Sequence, residues 1–116
     1  MTRFRYILLL LILGTVTSTQ AAEIRIDPAF WWTGMKNKQL QWCVYAPNIG
    51  SSKPSFSYPG VTIMKVIKTE NPNYLFVDIN ISANTLPGKL KVSFTTATGS
   101  VMYSYVYELK ARSKQN

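Results

Sequence analysis

From residue 23 onward, hydrophobic and polar residues alternate in short runs that are separated by turn-forming residues. A period of two is typical of β-strands with one buried face, and no useful stretch shows the longer period of an amphipathic helix. The pattern predicts strands at residues 23–27, 40–45, 61–69, 74–81, 89–95 and 101–109. Trp42 alternates with Leu40 and Val44, which predicts a tryptophan at the centre of a core.

The same period predicts which side chains share a face in two of the strands. In the strand at 61–69, one face takes Val61, Ile63, Lys65 and Ile67. In the last strand, one face takes Val101, Tyr103, Tyr105, Tyr107 and Leu109. The tyrosines of this second row are either a wall of the core or an exposed platform.

Short strands with turn signals at intervals of about 8–12 residues are the pattern of a β-sandwich. We therefore predict an all-β, immunoglobulin-like sandwich of about seven strands. The chain has 116 residues, which is enough for one domain. We assign residues 22–110 to the sandwich module and residues 111–116 to the start of a linker or tail.

Residues 1–21 differ from the rest of the chain. Arg3 and Arg5 precede an unbroken apolar run at 6–13, and the small residues Thr19 and Ala21 stand at the two positions that a signal peptidase inspects. The apolar run is shorter than the roughly 20 residues that a membrane span needs. We therefore predict a cleaved signal peptide and a chain that is exported, periplasmic or secreted, with no membrane attachment after cleavage.

The composition excludes several kinds of site. There is no histidine, which removes histidine-based acid–base catalysis, Ser-His-Asp triads and histidine metal ligands. The single cysteine, Cys43, excludes an internal disulfide and multi-cysteine zinc sites, and we expect it to be a small buried residue. No cofactor and no metal are predicted.

The charge is strongly positive, with 13 Lys and Arg against 5 Asp and Glu and a net charge of +8. The basic residues are spread along the chain without a nucleic-acid-binding motif, so we do not predict a nucleic-acid partner. The acids are Glu23, Asp27, Glu70, Asp78 and Glu108. Glycoside hydrolysis needs two carboxylates on either side of one bond, and the pattern brings no two of these acids together. We expect solvated surface acids and no catalytic residue.

The segment at 30–35 is the most informative for function. It contains Phe30, Trp31, Trp32 and Met35 between two predicted strands, after a proline and around a glycine. Adjacent side chains of an extended chain point in opposite directions, so the two tryptophans cannot both face one core. An exposed tryptophan in a secreted domain marks a contact with a sugar ring or with a protein. The alternative is that the pair closes the open end of the sandwich.

These residues also resemble a known family. The segment from Arg25 to Asn37, with Phe30, Trp31 and Trp32 at its centre, is similar to the opening of the N-terminal domain of secreted cyclomaltodextrinases and neopullulanases. Residues 40–45, 58–61, 70–78 and 103–112 agree with the same family, so the resemblance covers essentially the whole predicted module.

The resemblance implies an immunoglobulin-like domain that precedes an α-amylase-type barrel acting on α-glucans such as starch or cyclodextrin. In such enzymes the barrel carries the catalytic acids, and the N-terminal domain is non-catalytic. This sequence ends at Asn116, about where the linker to the barrel is expected, so no catalytic position matches and the chain is not expected to be an enzyme.

The implied function is a non-catalytic module of an α-glucan hydrolase that packs on the catalytic barrel. Its expected partners are that barrel or a second copy of the chain, and a maltooligosaccharide or cyclodextrin is a further expected ligand. The alternatives are a stand-alone carbohydrate-binding module and a dimerisation domain. Without the barrel, we expect an apolar patch at residues 30–35 and a tendency to self-associate.

Overall fold

The computed structural model describes residues 23–112, and the predicted signal peptide at 1–21 lies outside them. Within the described range there are eight β-strands, a short 3-10 helix at Ile49–Ser51 and no α-helix. The strands are β1 Arg25–Asp27, β2 Phe30–Trp32, β3 Gln39–Tyr45, β4 Lys53–Ser55, β5 Val61–Lys68, β6 Tyr74–Ile81, β7 Gly88–Thr95 and β8 Val101–Lys110. No helix of residues 23–112 is long and apolar enough to cross a membrane.

The strands form two four-stranded sheets. The first sheet has the order β1-β3-β6-β5, and the second has the order β2-β8-β7-β4. Neighbouring strands are antiparallel except for β2 and β8, which are parallel. This is the strand order of an immunoglobulin-like sandwich. The predicted all-β sandwich is therefore confirmed.

The structure has eight strands where the pattern predicted about seven, and it adds β2 and β4 to the predicted stretches. β1 ends before Pro28, and the chain then crosses to the second sheet, where it forms β2 beside β8. β4 pairs with β7 in a stretch that looked like a loop. Its Pro54 is tolerated because β4 is an edge strand. Both additions are three residues long, too short to display an alternation.

The core lies between the two sheets around Trp42. This side chain is fully buried, and its ring centroid lies 4.8 Å from that of Tyr107 and 5.9 Å from that of Phe56. The predicted central tryptophan is confirmed. The other large side chains that are fully buried are Phe94, Ile26, Ile49, Leu75, Ile79, Leu90, Leu109, Val44, Val77 and Val92.

Two β-bulges overturn part of the predicted faces. In β5 the register shifts after Ile63, so that Lys65 lies opposite Asp78, an outward residue of β6. In β8 a second shift places Val101 opposite Thr95, off the inward row. The predictions that put Lys65, Ile67 and Val101 on the inward rows are wrong, because the extra residue of a bulge inverts the alternation beyond it.

The row of tyrosines in β8 is a wall of the core. Tyr107 is fully buried, and Tyr103 and Tyr105 are partly buried and pack against the core. Cys43, in contrast, is not a buried residue as predicted. It is half-buried on the outward face of β3, because its two neighbours in the strand point inward.

Candidate functional site

The candidate segment begins with β2, which lies at the edge of the second sheet beside the last strand. Trp31 lies opposite Leu109 and packs against the core. Alternate residues of a strand face opposite sides, so Phe30 and Trp32 face outward. Trp31 is thus part of the core boundary, and Trp32 is part of the outer surface.

Phe30 and Trp32 form an aromatic pair on this outer surface. Their ring centroids are 5.2 Å apart and their planes are 82° apart, which is the favourable edge-to-face geometry. The Nζ atom of Lys110 lies 3.9 Å from the centroid of Phe30, in a cation–π contact. Trp32 also approaches Trp31, with centroids 5.3 Å apart. All three rings are half-buried, so each retains accessible surface.

The chain beyond β2 is tied to the end of β8. The backbone N–H of Thr33 donates to the carbonyl oxygen of Lys110 at 3.0 Å. Gly34 has φ +74°, a left-handed conformation that favours glycine, and it turns the chain away from the sheet. Arg112 donates from Nη1 to the carbonyl oxygen of Gly34 at 3.4 Å. Met35, the last candidate residue, is half-buried just after this turn.

A second loop, residues 82–87, lies at the same end of the sandwich. Leu109 lies opposite both Trp31 and Gly88, so β2, β8 and the start of β7 are level with one another. Neighbouring strands are about 4.8 Å apart, which places Gly88, where this loop joins β7, about two strand spacings from β2. Leu86 in this loop is 74% exposed, and its carbonyl oxygen accepts a hydrogen bond from the Tyr58 hydroxyl at 2.6 Å.

We call the apolar side chains at this end of the sandwich the end surface, and they are Phe30, Trp32, Met35, Tyr58 and Leu86. Beside them a groove of about 530 Å³ is lined by Tyr58, Pro59, Gly60, Ser82, Asn84, Leu86 and Pro87. The sequence predictions missed this second half of the end surface. The sequence signal that could have indicated it is Leu86, an apolar residue in a turn-rich stretch where polar residues are expected.

The end surface differs from the apolar patch expected at residues 30–35. Thr33 is buried, and the aromatic rings and Met35 are only partly exposed. The large hydrophobic side chains that are exposed in the described range are Met64, Val66, Leu86, Val101 and Val106. Leu86 is the one that lies at the same end of the sandwich as the candidate segment.

Two of the described acids have side-chain partners on the surface. Asp78 accepts a hydrogen bond from Gln41 Nε2 at 2.8 Å, and a carboxylate oxygen of Asp27 lies 3.7 Å from Arg25 Nε. Residues 23–112 contain no group of three or more His, Cys, Asp or Glu side chains that could hold a metal ion. The arrangement offers surfaces for contact, made of aromatic rings, aliphatic side chains and amides.

Tyr107 holds the crossover from β1 to β2 in place. Its hydroxyl donates to the carbonyl oxygen of Pro28 at 2.8 Å, two residues before β2 begins. Burial raises the pKa of this hydroxyl above its ordinary value of 10.0, because a phenolate would lose its hydration. The hydroxyl therefore remains a donor across the physiological range of pH.

Residues 25–113 match a family model described as the N-terminal domain of cyclomaltodextrinase. The matched range begins with β1 and runs beyond the end of β8, so it includes both sheets, the candidate segment and the loop at 82–87. The resemblance inferred from the sequence is thereby confirmed, and the match is to a non-catalytic module of a glycoside hydrolase. The chain belongs to the cyclomaltodextrinase N-terminal domain family.

Proposed function

We propose that this chain is a non-catalytic module that packs against an α-amylase-type catalytic barrel through its end surface. The observation that supports this proposal is the position of the end surface beside the last residues of β8. Trp32 lies opposite Lys110, the final residue of that strand. A domain that follows residue 112 in an enzyme of this family starts within reach of the same aromatic pair.

The chemistry of the end surface fits a protein partner. Leu86 and the half-buried rings of Phe30 and Trp32 present apolar surface to solvent at one end of the sandwich. Large aromatic side chains and aliphatic side chains dominate the centres of protein interfaces, and basic residues such as Lys110 and Arg112 are suited to the rim. We assign Phe30, Trp32 and Met35 to this contact, and Trp31 to the support of the core behind them.

Export is part of the same proposal. The predicted signal peptide at 1–21, outside the described residues, directs the chain to the periplasm or the cell exterior, where an α-glucan hydrolase meets its substrate. N-terminal sequencing of the protein recovered outside the cytoplasm tests this point. A mature chain that begins at residue 22 or 23 is expected, and a chain that retains Met1 contradicts it.

The docking proposal is tested by calorimetric titration of the purified protein with the barrel of a cyclomaltodextrinase prepared without its N-terminal domain. We expect saturable binding that weakens at least about tenfold in Trp32→Ala and in Leu86→Asp, as for residues at the centre of an interface. Val101→Asp is the matched control, because Val101 is 58% exposed and lies at the far end of β8. It should leave binding unchanged.

Several outcomes contradict the docking proposal. One is an absence of binding by a folded wild-type protein, and another is an equal loss of affinity in Leu86→Asp and Val101→Asp. Self-association is the competing function of an apolar end surface. It is recognised by a mass in sedimentation that rises with concentration and returns to the monomer value in Leu86→Asp, while the barrel has no effect.

A further inference from the structure

β5 is a long strand at an open edge of the first sheet. It has eight residues, whereas the other three edge strands, β1, β2 and β4, have three residues each. Within residues 23–112, β5 pairs with β6 on one side, and the backbone bond on its other side is the turn in which the Val61 N–H donates to the Tyr58 carbonyl oxygen at 3.1 Å. Residues 62–68 therefore present a row of unpaired N–H and C=O groups.

The apolar side chains of β5 are incompletely covered. Val66 lies opposite Val77, which is fully buried on the inward face of β6, yet Val66 itself is 37% exposed. Met64, at the bulge, is 62% exposed. The core is therefore open to solvent along this edge. A strand added beside β5 would place alternate side chains against Val66 and remove this apolar area from water.

The charge of β5 selects the kind of strand that can pair with it. Lys65 and Lys68 are exposed, and neither forms an ion pair within the described residues. β5 itself carries no acidic residue. An antiparallel pair of two β5 strands would bring together two lysines from each copy, and a register that pairs Lys65 with Lys68 would place like charges directly opposite each other, which is unfavourable. An acidic strand is attracted by the same lysines, so charge favours it over a second copy.

We propose that β5 binds an extended acidic segment of a protein partner by strand addition, so that the segment extends the first sheet beyond its present edge. The backbone of the segment pairs with the unpaired groups of β5, and its apolar side chains cover Val66. Its acidic side chains lie on the outward side beside Lys65 and within the field of Lys68. This mode of recognition gains affinity from main-chain hydrogen bonds and specificity from alternate side chains.

The inference does not rest on the proposed docking. It concerns the edge of the first sheet, whereas the aromatic pair of the end surface lies at the edge of the second sheet. It is also tested with a different partner, so that either proposal can fail without the other.

The test is a titration of the ¹⁵N-labelled purified protein, observed by NMR, with a capped peptide of about six residues in which glutamate and valine alternate. We expect saturable shifts of the amide signals of residues 62–68, with a dissociation constant on the order of 1 mM. The same peptide N-methylated at every residue lacks the N–H donors of a strand and should not bind. A peptide of alternating lysine and valine should bind at least about tenfold more weakly.

The role of the lysines is tested by the double variant Lys65→Gln with Lys68→Gln. It should weaken binding of the glutamate peptide several-fold, up to about tenfold. The matched control is Lys89→Gln with Lys91→Gln. This control removes the same charge from exposed positions of β7, which is an interior strand of the second sheet and has no open edge. It should bind the peptide as the wild type does.

The proposal is overturned if the glutamate peptide causes no saturable shifts up to about 10 mM, or if the N-methylated peptide binds equally well. Equal weakening in the two double variants would show attraction by net charge alone and also contradicts it. Two further results reject the acidic partner. Protection of residues 62–68 that rises with protein concentration without peptide would assign the edge to a second copy, and shifts confined to residues 30–35 and 82–87 would place the contact at the end surface.

Discussion

The hydroxyl of Tyr107 donates a hydrogen bond to the carbonyl oxygen of Pro28 at 2.8 Å. This bond connects the last strand with the point at which the chain changes from the first sheet to the second. The ring of the same tyrosine contacts the ring of Trp42 in the core. The position of β2, and with it the aromatic pair of the end surface, therefore depends on a buried polar contact as well as on apolar packing.

Tyr107→Phe should lower the free energy of unfolding by about 1 kcal/mol, because the substitution leaves the Pro28 carbonyl without its donor in a part-buried site. Denaturation in urea measures this change. The control is Tyr103→Phe in the same strand, whose hydroxyl donates to the Pro47 carbonyl at 2.7 Å in an exposed position. Water can replace that donor, so the control should lose less than half as much. Equal losses would contradict the role of burial.

The stability of the fold should decrease in alkali as Tyr107 of the unfolded chain begins to ionise. Burial raises the pKa of this hydroxyl above 10.0 in the folded protein, so above that pH unfolding releases a proton. The stabilisation is fully present below pH 10 and is lost by up to about 1.4 kcal/mol per pH unit above it.

Tyr107→Phe lacks this dependence, because phenylalanine does not ionise. Urea denaturation from about pH 8 to about pH 11 should therefore show the difference in stability between wild type and variant becoming smaller as the pH rises. Two curves that remain parallel over the whole range would contradict the raised pKa.

Gly60→Ala should destabilise the fold more than Gly99→Ala. Both glycines have a positive φ, +87° and +94°, so each substitution costs about 1–2 kcal/mol of backbone strain. A Cβ at Gly60 also meets the hydroxyls of Thr85 and Ser82, whereas a Cβ at Gly99 meets open space. The clash should add about 1–3 kcal/mol at Gly60. Equal losses in thermal unfolding would show that the loop at 82–87 moves aside.

The two adjacent tryptophans should respond differently to truncation. Trp31→Ala removes a side chain that packs against the core and should cost roughly 2–3 kcal/mol of stability. Trp32→Ala removes one outward edge-to-face contact and should cost about 1 kcal/mol. Chemical denaturation of both variants measures the difference. A larger loss in Trp32→Ala would contradict the assignment of Trp31 to the core and Trp32 to the outer surface.

The long strands and the central Trp42 could be predicted from the sequence, because burial on one face leaves a clear period of two. The bulges could not be predicted, since an inserted residue changes the face on which Lys65 and Val101 lie without changing the local composition. β2 was missed because its pairing with β8 joins residues far apart in the chain. The predicted site residues lie around one edge, but Leu86 joins them only through the register of β7 and β8.

Hydrogen exchange of the protein with and without the cyclomaltodextrinase barrel tests the docking proposal most directly. The end surface predicts slower exchange of amides at 31–38, 58–60 and 82–86 in the complex. The turns at 69–73 and 96–100 lie at the opposite end of the sandwich and should exchange as in the free protein. Protection of these two turns in place of the end surface, or no protection at all, would contradict the account.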